Sequence, residues 1–327
     1  MPSVLSTVND LIENVRGQLD EQNADSVDTR RDILPTLNRA QQFAFDTLAR
    51  KYPEPILKYT TLTLEAGVLE YTLPEDSFED RIQKLEIAIP SGQGFIYREV
   101  QRIDYMDITY YESGSTSSSP LYYCIIGRKI RLVPPSNGVY NARLWYLRSP
   151  EVLTTPQGRV TVINTASNYV IVDSAGEDLT TQSDQLGSYV NVVDGQTGEI
   201  KGTLQIQSLN DNKVTFRTAP TRTTVVNRSV SGALSSISIE RDDYLSPVVG
   251  TCVPYYGQSI SNFLIQFTVA EITRKLGGQA STEEDILKKY EQQVERTWAG
   301  RETSMRIKKK SLNWNRPIRN WWWRRQL

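Results

Sequence analysis

Residues 56–89 read ILKYTTLTLEAGVLEYTLPEDSFEDRIQKLEIAI, and the fold turns on this stretch. Within it the runs Tyr59–Leu64, Val68–Leu73 and Arg81–Ile89 are short, rich in β-branched and aromatic residues, and alternate with a period of two. Glu65-Ala66-Gly67 and Leu73-Pro74-Glu75-Asp76 separate them as turns. Strands are therefore expected from Ile56 onward.

The same pattern continues downstream through Phe95–Ile103, Leu121–Ile126, Lys129–Val133 and Ala142–Leu147. Its turns lie at Pro90-Ser91-Gly92, Ile126-Gly127-Arg128 and Pro134-Pro135-Ser136-Asn137-Gly138. Residues 104–112 (DYMDITYYE) suit a short helix, and Ser113–Ser119 a mobile loop. A second β region runs from about Gly158 to Ile239, through Val160–Val162, Tyr169–Val172, Tyr189–Val193, Ile200–Ile206, Val214–Phe216 and Ile237–Ile239. Its shorter strands and Gly-, Asp-, Asn- and Ser-rich loops predict a small antiparallel barrel or sandwich of its own.

Upstream the period is helical. Val4, Leu5, Val8, Leu11, Ile12, Val15 and Leu19 mark one face of a first helix, weakened near its end by Gly17. After a polar stretch, with Asp28 or Asp32 as cap, Ile33, Leu34, Leu37, Ala40, Phe43, Ala44 and Leu48 mark a second. Pro35 is tolerated there because first-turn N–H groups lack partners anyway, and Lys51-Tyr52-Pro53-Glu54-Pro55 stops the helix. Helical spacing returns in 257–276 with Ile260, Phe263, Leu264, Phe267, Ala270, Ile272 and Leu276, ended by Gly277-Gly278. Ser281-Thr282-Glu283-Glu284 then opens a helix carrying Ile286, Leu287, Tyr290, Val294 and Trp298.

These periodicities predict an α+β protein in which N- and C-terminal helix pairs form one bundle. The expected division is 1–55 and 246–310 as the two bundle parts, 56–155 as an antiparallel β region, 156–245 as an inserted β-barrel-like domain, and 311–327 as an extended arm. Two domains also suit a chain of 327 residues at roughly 150 residues per domain.

The chain contains no His, so His-based acid/base catalysis, Ser-His-Asp and Cys-His nucleophiles, and His-containing zinc or haem sites cannot be built from it. Cys124 and Cys252 are too few for a disulfide framework or an all-Cys zinc site, and neither has a C-x-x-C partner. No apolar run approaches the ~20 residues that span a bilayer, and no signal-peptide pattern opens the chain. A soluble intracellular protein without cofactor, metal or membrane partner is expected.

Charge is near balance overall, with 37 Lys+Arg against 38 Asp+Glu, but it is unevenly distributed. Residues 301–327 hold nine bases and one acid, which leaves residues 1–300 with 28 bases and 37 acids. Four of the six Trp, Trp314, Trp321, Trp322 and Trp323, fall in the last fourteen residues, interleaved with Arg316, Arg319, Arg324 and Arg325. Such a segment suits stacking on single-stranded nucleic acid or docking into grooves of an acidic protein. Four exposed Trp do not suit a solvated tail, and Pro317 with Asn313 and Asn315 opposes a continuous helix, so a docking arm is preferred.

Other motifs carry less chemistry. DGQTGEIKGT, residues 194–203, has Gly-Lys-Ser/Thr elements in the wrong order for a phosphate loop and reads as a hairpin turn. The acidic groups Asp76, Glu79, Asp80 and Glu240, Asp242, Asp243 could bind a divalent metal or run hydrolysis. Both sit beside turns, where solvated acids are ordinary.

One ordered set of motifs resembles the head-to-tail adaptor (connector, or upper tail-tube) proteins of short-tailed bacteriophages. It comprises Leu37-Asn38-Arg39-Ala40, Tyr71-Thr72-Leu73-Pro74-Glu75-Asp76, Pro120-Leu121-Tyr122-Tyr123, Ile130-Arg131-Leu132-Val133-Pro134-Pro135, Leu144-Trp145-Tyr146-Leu147 and residues 295–301. The resemblance covers most of residues 30–155 and 250–305. It implies a structural virion protein, made in the host cytoplasm, that forms a ring below the portal, commonly of twelve copies, around the DNA channel. It further implies a C-terminal segment gripping the portal and β parts facing the next tail component, a nozzle, tube or fibre protein. An acidic body fits this, since a duplex would pass without sticking. The alternatives are a carboxylate-dependent tail-associated hydrolase using Asp76, Asp80, Asp242 or Asp243, and a nucleic-acid-binding module acting through the basic tail.

Overall fold

The computed structural model describes residues 6–19, 27–51, 53–92, 94–112, 120–182, 185–226, 228–254 and 258–277, together with 285, 287–290, 292 and 296. The expected loop 113–119, the cap at 281–284, much of the last helix and the whole arm lie outside the described residues. The described chain is α+β, with curled sheets and few helices: α1 (Val8–Gln18), α2 (Leu34–Lys51), α3 (Ile108–Glu112) and α4 (Gln258–Lys275). It divides into two compact units, Met1–Asn9 with Gln41–Tyr255 and Asp10–Ala40 with Tyr256–Leu327.

In the second unit α2 is entered through a π-helical turn, Thr29–Ile33. The Asp28 carboxylate accepts the Arg31 N–H at 2.7 Å, and the Asp28 N–H donates to Asp32 Oδ2 at 3.2 Å. Asp28 and Asp32 thus both serve the cap, each supplying one half of a reciprocal pair. Pro35, lacking an N–H, sits just past this wide turn, where an ordinary i→i−4 ladder would be broken anyway. α4 was expected to bury one wide face; it is buried nearly all round, Ser261, Gln266 and Thr268 included. Thr268 Oγ1 returns its proton to the Leu264 carbonyl at 2.8 Å, and Gln266 Nε2 donates to Gln18 Oε1 at 2.5 Å. Gly277, at φ +79, ends the helix with its N–H on the Arg274 carbonyl at 3.0 Å.

The first unit holds two sheets. The first comprises β1 (Leu57–Leu64), β2 (Glu70–Thr72), β3 (Ser77–Ser91), β4 (Gly94–Arg102), β5 (Tyr122–Ile126), β6 (Lys129–Val133) and β7 (Tyr140–Arg148), ordered β1-β7-β3-β4-β5-β6-β2. All neighbours are antiparallel except β4 with β5. Every strand expected in 56–155 is present. Alternation gives β7 two faces: Ala142, Leu144 and Tyr146 are buried in a core shared with Leu64, Leu85, Ile87, Val100, Tyr123 and Leu132, whereas Arg143 and Trp145 face outward.

The second sheet contains β8 (Val160–Asn164), β9 (Tyr169–Val172), β10 (Tyr189–Val193), β11 (Ile200–Asn210), β12 (Lys213–Phe216), β13 (Thr224–Val225), β14 (Arg228–Ser231) and β15 (Tyr244–Pro247). Its core, including Val160, Val170, Val190, Leu204, Val214, Phe216 and Leu245, is separate from that of the first sheet. Ile237–Ile239 is not a strand. The Ile237 N–H bonds the Leu234 carbonyl and the Ile239 N–H the Ile237 carbonyl, so the chain coils while Ile237 still reaches the core. Asn168 holds this coil in place, accepting the Leu234 N–H at 2.8 Å and donating to the Phe216 carbonyl at 2.9 Å. Strands β13, β14 and β15 were not expected; they are two to four residues long, and Asn191, fully buried, binds the β15 turn through the Val248 and Gly250 carbonyls.

Two glycine substitutions should move stability in opposite directions. Gly158 has φ +136, and a Cβ there would lie 2.7 Å from the Ser174 carbonyl oxygen, so Gly158→Ala should cost about 2–4 kcal/mol. Gly17 lies in α1 with nothing near a Cβ, so Gly17→Ala should add about 0.5–1 kcal/mol. Urea unfolding of both variants checks the pair, and equal signs would contradict the local conformations given.

Candidate functional site

Two features of the first unit present themselves to other molecules: a projecting hairpin and a cleft between the sheets. The hairpin arises from a mismatch of strand lengths. β3 pairs with β7 only as far as Ile87↔Ala142, yet continues against β4 to Ser91↔Gly94. Beyond Ile87 the ribbon has no third strand among the described residues, and Phe95 and Ile96 are 64% and 61% exposed. Tyr97 is steadied from its base by the Arg143 guanidinium, 3.7 Å from its ring centroid.

Around Arg143 the outward face of the sheet is a packed polar and aromatic row. Trp145 Nε1 donates to Glu86 Oε2 at 2.8 Å and Lys84 Nζ to Glu86 Oε1 at 2.6 Å. Lys84 lies over the Trp145 ring, which meets Tyr59 at 4.9 Å between centroids. Partial burial would push the Glu86 carboxyl up, but the hydrogen bonds from Lys84 and Trp145 outweigh it and hold it below its ordinary value.

The cleft, of about 520 Å³, is lined by Lys58, Asp76, Tyr146, Glu151, Val226, Arg228 and Val249 among others. Four of its charges, on Lys58, Asp76, Glu151 and Arg228, are paired. Asp76 accepts from Lys58 Nζ and from the Tyr146 hydroxyl, both at 2.8 Å, and Arg228 bridges to Glu151. Burial pushes the Tyr146 hydroxyl up, reinforced by its bond to the Asp76 carboxylate. For Asp76 itself, burial is outweighed by the Lys58 and Tyr146 hydrogen bonds, and its pKa is lowered.

Neither acidic group converges on a common point. Glu79 turns to Arg81 at 2.7 Å and Asp80 to Arg128 at 3.6 Å, both from left-handed backbone positions within a bulge of β3. In the other group Asp242 pairs with Arg159 at 2.7 Å and Asp243 with Lys201 at 3.0 Å. Burial alone would lower the Lys201 pKa, but Asp243 and Asp194 hold it above the ordinary lysine value. Among the described residues no three His, Cys, Asp or Glu side chains are grouped to hold a metal. Asp194 caps its own turn, accepting the Gln196 and Thr197 N–H groups at 2.7 and 2.9 Å; the DGQTGEIKGT segment joins two antiparallel strands, β10 and β11. Cys124 and Cys252 are buried, and burial pushes the Cys252 thiol up to about 12.

A site of paired charges, buried thiols and exposed aromatic ribbon is built for contact. A family model described as SU10 adaptor protein matches residues 6–179, just over half of the chain. The chain belongs to the SU10 adaptor protein family. Membership makes it a structural adaptor of a phage virion, which assembles with portal and tail proteins in general. No curated protein matches the chain. No described helix is long and apolar enough to cross a membrane. The arm residues Trp314, Arg316, Arg319, Trp321, Trp322, Trp323, Arg324 and Arg325 lie outside the described residues. Sequence reading passed over the hairpin tip because Phe95 and Ile96 looked like ordinary strand residues; the signal available was the strand length, which outruns its neighbour.

The Asp76 network has a pH signature. A carboxyl whose folded pKa is depressed contributes stability that is complete above its unfolded pKa of about 4 and is lost as pH falls through the folded value. Asp76→Asn should therefore cost about 1–2 kcal/mol at pH 7, with the gap to wild type closing below pH ~4. Urea midpoints across pH 2.5–7 check it; a gap that widens in acid would reverse the assignment.

Proposed function

We propose that this adaptor forms a ring, of twelve copies, between the portal and the tail nozzle or tube, enclosing the channel through which DNA leaves the head. Family membership carries the reading. The charge split supports it: residues 1–300, with 28 bases against 37 acids, offer a duplex little to bind as it passes. A hydrolase finds less support, since the Asp76, Glu79, Asp80, Asp242 and Asp243 carboxylates are each engaged with a cation.

Within such a ring the N- and C-terminal helices would make a bundle layer. Its support is the pairing of α4 with the N-terminal helices, through Gln266 with Gln18 and Arg39 with Glu271 at 3.4 Å. The region 156–245 would stand as a separable β-domain, supported by a hydrophobic core of its own. Expressed alone, it should give β-type circular dichroism and a cooperative thermal transition; an excised segment without either removes the domain division.

Residues 311–327 serve in this reading as the portal-docking arm. Trp314, Trp321, Trp322 and Trp323 would be buried anchors, and Arg316, Arg319, Arg324 and Arg325 would orient them by pairing with carboxylates. Single central Trp or Arg contacts are worth ~2 kcal/mol or more, and a ring multiplies them by avidity. Deleting 311–327 should leave the fold intact and abolish attachment to the portal, read as co-sedimentation and as the mass of the mixed complex. Near-native attachment without the segment would turn those tryptophans toward DNA.

A further inference from the structure

We propose that the antiparallel part of the first sheet, β1-β7-β3-β4, continues from one copy to the next, the free side of β4 pairing with the free side of β1 of a second copy. The inference rests on the ring reading above and names the surfaces that would join its copies. β4 pairs with β3 along residues 94–100, and on its other side meets β5 only at Gln101 and Arg102. Among the described residues nothing pairs with that side of 94–100. β1 pairs with β7 along all of Leu57–Leu64, and no described strand occupies its other side.

These edges are poorly guarded. Strand edges in monomers are usually blunted by proline, charge, a bulge or a covering element, because unpaired N–H and C=O rows template association. β1 contains no Pro and one charge, Lys58, which is tied to Asp76. β4 has no Pro and carries Phe95 and Ile96 in solvent, its charges Arg98, Glu99 and Arg102 being confined to the half nearer β5. Exposed as they are, both would be aggregation sites; paired, they are a joint.

Direction and length agree. β1, β7, β3 and β4 alternate in direction, so β4 runs opposite to β1, and a second copy's β1 set beside β4 extends the antiparallel pattern. Seven residues of one edge meet eight of the other. The two edges differ, so the contact is head-to-tail and repeats until the rotation closes a ring. A two-fold pairing of β4 with β4 centred on Arg98 or Glu99 would set like charge against like. The β1 edge offers Thr60, Thr61 and Thr63 instead.

Cross-linking tests the joint. Thr61, Arg143, Glu86 and Glu99 form one outward row across the sheet, so Thr61 and Glu99 of one chain are three strand spacings apart, about 14 Å. A short bismaleimide cannot bridge them within a chain, and the native cysteines are buried. The double variant Thr61→Cys/Glu99→Cys, assembled and treated with the reagent, should give a ladder of covalent multimers, while each single variant stays monomeric. Amide exchange in 57–63 and 94–100 should slow about tenfold or more on assembly. Assemblies of native mass with no ladder overturn the joint and leave the ring standing. Cross-linked dimers from a single variant, or full protection of both edges in the isolated chain, also overturn it. A chain that never self-associates, alone or on the portal, overturns the ring reading and this inference together.

Discussion

The first sheet depends on the register of β7. This strand is paired on both sides, to β1 and to β3, and its side chains alternate between a dry core and an outward polar row. A slip of one residue would drive Arg143 and Trp145 into the core and expose Leu144 and Tyr146. Each buried Leu or Ile is worth about 1.5–3 kcal/mol, so the correct register wins decisively. The outward row reinforces it: Glu86 can accept from both Trp145 and Lys84 only when β3 and β7 are aligned as they are.

The second sheet uses a different device. Its strands are short, and its loops are fastened by buried side chains that replace missing ladder bonds. Asn191 serves the β15 turn and accepts the Thr203 hydroxyl at 2.7 Å. Asn168 ties the coil before Ile237 to β12. Lys201, in β11, joins Asp194 and Asp243. Buried polar groups left unpaired are costly, so each of these residues specifies one loop conformation.

Both devices suit an adaptor. Asp76, Glu79, Asp80, Asp242 and Asp243 are each paired with a cation, and both thiols are buried. Among the described residues, what has no strand neighbour lies at the margins, in an overhanging ribbon and two strand edges.

The sequence by itself determined the element types and most of their positions. Period-two runs located all seven strands of the first sheet, helical spacing located α1, α2 and α4, and Asp28 and Gly277 marked helix ends, because local backbone preferences and side-chain periodicity are short-range properties. The absence of His settled by composition what no fold could restore. Tertiary structure alone decided the rest. Ile237–Ile239 alternates like a strand yet coils, continuing a turn whose Leu234 N–H is held by Asn168, distant in sequence. Strands β13 to β15 are too short to announce themselves and exist because β14, β11 and β10 offer them partners. The acidic clusters read as solvated acids beside turns; tertiary structure instead brings Lys58, Arg128, Arg159 and Lys201, each distant in sequence, to pair with Asp76, Asp80, Asp242 and Asp243. Which strand ends without a neighbour depends on the length of the strand beside it, and that is a property of the assembled sheet.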